Sequence, residues 1–62
     1  MIQNFQRVID ERQARYDEAV RIYAYNRQWL SHSDSVSASQ HRTAVSRDVI
    51  KRECIRAGVW DD

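Results

Sequence analysis

Ile2-Gln3-Asn4-Phe5-Gln6-Arg7-Val8-Ile9-Asp10-Glu11-Arg12-Gln13-Ala14-Arg15-Tyr16 opens a run that continues through Ala19, Tyr23 and Asn26 to Leu30, and its spacing decides the fold. Ile2, Ile9, Tyr16, Tyr23 and Leu30 recur every seven residues, with Phe5, Arg12, Ala19 and Asn26 filling the offsets three further on. Seven of these nine positions are apolar, which marks a helix with a continuous, coiled-coil-like seam along one side. At about 1.5 Å per residue, a helix over residues 2–30 is roughly 43 Å long. A rod of that length needs a long partner, because helices in water draw most of their stability from packing an apolar face. Val8, Val20 and Ile22 widen that face beyond a narrow stripe, so more than one neighbouring helix is expected. Glu11 with Arg15 and Asp17 with Arg21 are four apart in the favourable order and support the solvated side.

Two polar residues interrupt the seam. Arg12 can lay its aliphatic stem over apolar neighbours while its guanidinium reaches water or a carboxylate. Asn26 either faces water near the helix end or is buried, where it would select register or oligomer number. Asn4 is a candidate N-cap for the start of the helix.

Downstream, Ser31-His32-Ser33-Asp34-Ser35 is a polar cluster whose side chains compete with a helix for backbone hydrogen bonds, so the turn is placed there. Ser37-Ala38-Ser39-Gln40 then matches a capping box, and a second helix is expected from Ala38 to Ala57. On it Ala38, His41, Val45, Val49, Arg52, Ile55 and Arg56 share one side, with Ile50, Cys54 and Ala57 on another. Gly58 suits the left-handed position that ends a helix, with Val59 folding back on Cys54. The acidic end, Asp61 and Asp62, is unfavourable beside a helix C-terminus, so the tail should bend away or find arginines.

The expected architecture is therefore all-α: one domain over residues 1–62, built as an antiparallel two-helix hairpin of about 2–30 and 38–57. The shorter second helix leaves the beginning of the first uncovered, so two hairpins should pair into a four-helix bundle. Ile2, Phe5, Ile9, Tyr16, Ala19, Tyr23, Asn26 and Leu30 are the expected self-association surface of that homodimer. In the hairpin Trp60 should return near Phe5 and Ile9, while Tyr25 and Trp29 sit by the turn. The pair either completes the core or forms a patch for a protein partner.

Composition narrows the classes. A chain of 62 residues obtains only about 3–5 kcal/mol from one small core, and the single cysteine rules out an internal disulfide framework. One glycine and no proline leave little chemistry for tight hairpins, against an all-β fold. No apolar run approaches the roughly 20 residues of a membrane span. The first helix has a Tyr-rich apolar face and a charge-balanced polar one, unlike a membrane-surface helix. With no signal-like N-terminus, a cytoplasmic protein is expected.

Catalytic chemistry finds little support. His41 and Cys54 lie about 20 Å apart on a single helix, beyond reach of a thiol-imidazole pair, and neither His32 nor His41 has zinc-ligand spacing. The carboxylates at 10 and 11 and at 17 and 18 point apart on a helix. No enzyme, metal or cofactor is expected.

Charge distribution says more than the net of +1. Residues 38–57 carry Arg42, Arg47, Lys51, Arg52 and Arg56 against Asp48 and Glu53. Within them Arg42-Thr43-Ala44-Val45-Ser46-Arg47-Asp48-Val49-Ile50-Lys51-Arg52, ending in Ala57-Gly58-Val59, resembles the recognition helix of winged helix-turn-helix regulators. The resemblance covers about a third of the chain and implies that Arg42, Thr43, Ser46, Arg47 and Lys51 face a DNA groove and its phosphates. Such domains set a short helix and a tight turn before the recognition helix, where this chain has its serine-rich stretch. A basic stripe on a dimer could also meet phosphates without that family's architecture, or its arginines could pair across the bundle with Asp10, Glu11, Asp17 and Glu18.

In size, arginine content and helical pattern, the sequence is also similar in style to small accessory proteins of phage or prophage early regions, which would place it in a host cytoplasm. The resulting expectation is a non-enzymatic protein acting by self-association and protein contact, with a small DNA-binding regulator as the alternative.

Overall fold

The structure is a computed structural model that describes residues 2–61, with side chains from residue 7 onward. Its elements are α1 (Ile2–Asn26), α2 (His32–Thr43) and α3 (Arg47–Ala57), with no strand among the described residues. The chain is all-helical as the periodicity predicts, but the expected second helix over 38–57 is two helices, so the two-helix hairpin is replaced by a three-helix arrangement. The long axis measures 43 Å against 21 and 17 Å across.

The first correction lies at the serine cluster. Ser31 sits in extended backbone (φ −64°, ψ 164°) and its hydroxyl accepts the Asp34 N–H, so α2 begins at His32 rather than Ala38. Serine and aspartate that compete with a helix interior are also the residues that cap a helix start, and Asp34 in the first turn suits the positive end of the helix dipole. The turn moves upstream to residues 27–31. There Leu30 N–H donates to Asn26 O at 2.8 Å and the Arg27 guanidinium donates to Leu30 O at 2.7 Å, so α1 stops at Asn26, short of Leu30.

The second correction is the break inside residues 38–57. Ala44 adopts a left-handed conformation (φ 58°, ψ 21°) with its N–H on Gln40 O, ending α2. The Thr43 hydroxyl donates to Ser39 O at 2.7 Å and accepts the Val45 N–H at 3.3 Å, bracing the corner. Ser46, extended at φ −67° and ψ 154°, then caps α3 by accepting the Val49 N–H. Val45, buried at this corner, pins the turn to the core.

The core joins Ala19 and Tyr23 of α1, Val36 of α2, Val45 of the corner, and Ile50 and Cys54 of α3; Tyr16, Val20, Val49 and Trp60 pack around it. Close approach of α1 and α2 uses small residues: Ser35 and Ser39 are fully buried, and the Ser39 hydroxyl donates to Ala19 O at 2.7 Å. Because the chain turns at Ala44, the face of α3 that enters the core is Ile50, Glu53 and Cys54, while His41, Arg52, Ile55 and Arg56 are exposed. A helical wheel drawn unbroken through 38–57 mixes two phases, which is why it grouped Ile55 with Val45.

Gly58 ends α3 in the left-handed conformation the sequence predicts (φ 75°), and Val59 N–H donates back to Cys54 O at 3.0 Å. The tail then folds onto α1 instead of reaching Ile9. Trp60 stacks on Tyr23 with ring centroids 5.4 Å apart and meets His32 edge-on at 4.4 Å. The Tyr23 hydroxyl is hydrogen-bonded to His32 Nδ1 at 2.9 Å and accepts the Asp61 N–H at 3.0 Å, and Asp61 pairs with Arg27. The acidic end thus finds an arginine.

Candidate nucleic-acid interface

The cations of α2 and α3 divide into two sets. Glu53, only 7% exposed, faces α1, where Gln13 Nε2 donates to it at 3.3 Å. Arg52 Nε lies 3.2 Å and Arg56 Nη1 3.8 Å from the same carboxylate, and the Arg52 guanidinium sits 5.9 Å from the centre of the Tyr16 ring. This cluster ties α3 to α1. Arg42, Arg47 and Lys51 are the other set, exposed and in no ion pair among the described residues. Asp48 is the one carboxylate on α3 outside the Glu53 cluster.

The five residues singled out from the winged helix-turn-helix resemblance lie on either side of the corner with different surroundings, Arg42 lining a groove with Glu18, Arg21 and Tyr25 of α1. Arg42 lies in the last turn of α2, Arg47 in the first turn of α3, and Lys51 one turn later. Thr43 and Ser46 spend their hydroxyls on the backbone of the turn and of α3, bracing the corner and capping the helix that follows. Ile55, which the spacing groups with Val45 on one side of an unbroken helix, is 54% exposed one turn beyond Lys51, whereas Val45 is buried. The clue to it was Ser46 followed by Arg47-Asp48, an N-cap signature in the middle of the expected helix.

The serine-rich stretch is part of α2, and residues 44–46 separate α2 from α3. No strand follows Trp60 among the described residues.

The positions expected to form a dimer seam meet different fates. Ala19 and Tyr23 are buried in the chain's own core, and Tyr16, Asn26 and Leu30 are half-buried. Asn26 donates its side-chain amide to Ile22 O at 2.8 Å, a local helix-end bond. Ile9 is 44% exposed, and the side chains of Ile2 and Phe5, like the Asn4 cap, lie outside the described residues. Tyr25 and Trp29 stay on the surface, 60% and 57% exposed, with rings in T-shaped contact at 4.6 Å.

Cys54 is fully buried, and burial, reinforced by the neighbouring Glu53 carboxylate, pushes its thiol from 9.0 up to about 11. It stays protonated at neutral pH and serves as a small apolar core residue. His41 is exposed on α2 and does not approach it. No three His, Cys, Asp or Glu among the described residues are grouped to hold a metal ion, and no helix there is long and apolar enough to cross a membrane. Comparison with known proteins gives no matching family model, no similar curated protein and no similar solved structure.

Proposed function

We propose that this chain binds duplex DNA, with α2 and α3 forming a helix-turn-helix and α3 entering the major groove. One observation carries the reading: the left-handed turn at Ala44 and the Ser46 cap start a separate short helix, α3, on which Arg47 and Lys51 are exposed one turn apart and in no ion pair among the described residues. Eleven residues make α3 about 16 Å long, and a helix of this width fits a groove about 12 Å across. Arg47 sits at the positive end of its own helix dipole, where a cation costs stability; a phosphate or base edge at that end offsets the cost. Lys51 and Ile55 follow at one-turn spacing and are exposed, the second suited to a thymine methyl.

Fluorescence anisotropy with a duplex at graded salt tests the reading. Affinity should fall steeply as salt rises, and Arg47→Ala or Lys51→Ala should each weaken binding and flatten the salt slope by about one. Binding that is absent at low salt, or indifferent to both substitutions, removes it.

A second reading, a small accessory protein of the phage or prophage type acting through a protein partner, is favoured by the exposed Tyr25–Trp29 pair. Aromatics are enriched at such contacts. Nothing in this reading requires catalysis.

A further inference from the structure

Between the last third of α1 and the end of α2 runs a groove of about 260 Å³. Half-buried Ile22 and Asn26 line it from α1 together with the exposed Glu18, Arg21 and Tyr25, and Arg42 lines it from α2. Most of its polar groups are already committed. The Asn26 amide donates to Ile22 O, and Glu18 pairs with Arg21. Arg42 is the exception, exposed in the last turn of α2 and in no ion pair among the described residues. At the same groove the exposed Tyr25 ring meets the exposed Trp29 ring edge-on, 4.6 Å between centroids, which prolongs the aromatic surface beyond the lining residues. Neither Arg47 nor Lys51 lines the groove, so it is separate from the cations of α3.

We propose that this groove docks an acidic segment of a protein partner, with a carboxylate of that segment on Arg42 and a neighbouring apolar side chain against Ile22 and the Tyr25–Trp29 pair. Charge selects the occupant. With Glu18 and Arg21 neutralising each other, the groove keeps one uncompensated positive charge, which a single Asp or Glu matches. A nucleic-acid strand carries a phosphate at every nucleotide and needs a row of cations to follow it, whereas here a carboxylate, Glu18, lines the same groove. The residue types supply the strength: a planar guanidinium holds a carboxylate through two parallel hydrogen bonds, and Arg, Tyr and Trp are the side chains in which interface binding energy concentrates. This proposal rests on the second reading above, action through a protein partner, and is independent of DNA binding by α3.

Selection of displayed random peptides on the full chain, followed by fluorescence anisotropy with the recovered peptides, tests the docking. The peptides should share an Asp or Glu beside Leu, Phe or Trp. Arg42→Gln should weaken them several-fold, and Trp29→Ala by roughly tenfold. Arg42→Glu should prefer a peptide whose acid is exchanged for Lys over the original, a reversal that a merely structural role for Arg42 does not produce. Both residues are exposed, so circular dichroism should show the helices intact in every variant. Peptides with no shared acid, or bound equally by Arg42→Gln, overturn the proposal; if such peptides still depend on Trp29, action through a protein partner stands and only this groove is removed. A selection that yields no binder removes both. A single-stranded oligonucleotide whose binding is lost in Arg42→Gln and Trp29→Ala assigns the groove to nucleic acid and also overturns the proposal.

Discussion

The two halves of α1 share one heptad pattern and meet opposite surroundings. Tyr23 is completely sequestered, stacked against Trp60 and hydrogen-bonded to His32 and the Asp61 N–H, whereas Ile9, two heptads earlier in the same series, is 44% exposed. Periodicity therefore identifies which face of a helix is apolar without identifying what covers it. Coverage depends on where the following chain turns, and that is decided by capping and corner residues such as Ser31, Ala44 and Ser46.

The contrast is broken most directly by truncating one residue from each half. Tyr23→Ala removes the largest buried side chain and should cost about 3–5 kcal/mol. A core this small supplies no more than about that, so the variant should be largely unfolded in water, by circular dichroism. Ile9→Ala in dilute, monomeric protein should change the urea midpoint only marginally, within about 0.5 kcal/mol. Equal losses at the two positions would mean that the arm is covered within the chain.

A smaller effect probes the covered half from the side of α3. The folded Cys54 thiol holds its proton up to about 11, against 9.0 when unperturbed, because ionisation in the core is opposed by burial and by Glu53. Its contribution is fully present below pH 9 and is lost as pH rises through 11, since the unfolded thiol ionises first. The loss approaches about 2–3 kcal/mol. Denaturant melts should show this alkaline decline in the parent over and above that in Cys54→Ala, which has no thiol to titrate. Alkylation of Cys54 at neutral pH should correspondingly wait for unfolding.

Helical class, the apolar face of α1, the Gly58 stop and the basic character of residues 42–56 were legible in the sequence, because each depends on local spacing or on one residue's conformational freedom. The break at 44–46 was harder to read. Ala44 is a strong helix former held in a left-handed conformation, so propensity pointed the wrong way and tertiary burial of Val45 prevailed. Ser37-Ala38-Ser39-Gln40 imitated a helix start while lying within α2, and its Ser39 hydroxyl serves helix packing. At the candidate interface the same break hid Ile55. Residue identity could place Arg47 and Lys51 together on a helix, but only the corner shows that Thr43 and Ser46 are committed to the turn.

Ala44 also gives the smallest and most specific test of that corner. Its side chain is exposed, so replacing it removes no packing, and its φ of 58° lies where a Cβ is strained and glycine is not. Ala44→Gly relieves that strain but gives the unfolded chain more freedom, and the two effects oppose each other. Left-handed alanine costs roughly 1–2 kcal/mol, more than the freedom regained, so the substitution should stabilise by about 0.5–1 kcal/mol. In a continuous helix over 38–57 the same change would destabilise by a similar amount. The sign of the shift in urea midpoint thus distinguishes a corner from an unbroken helix, because only a left-handed residue 44 gains from losing its Cβ.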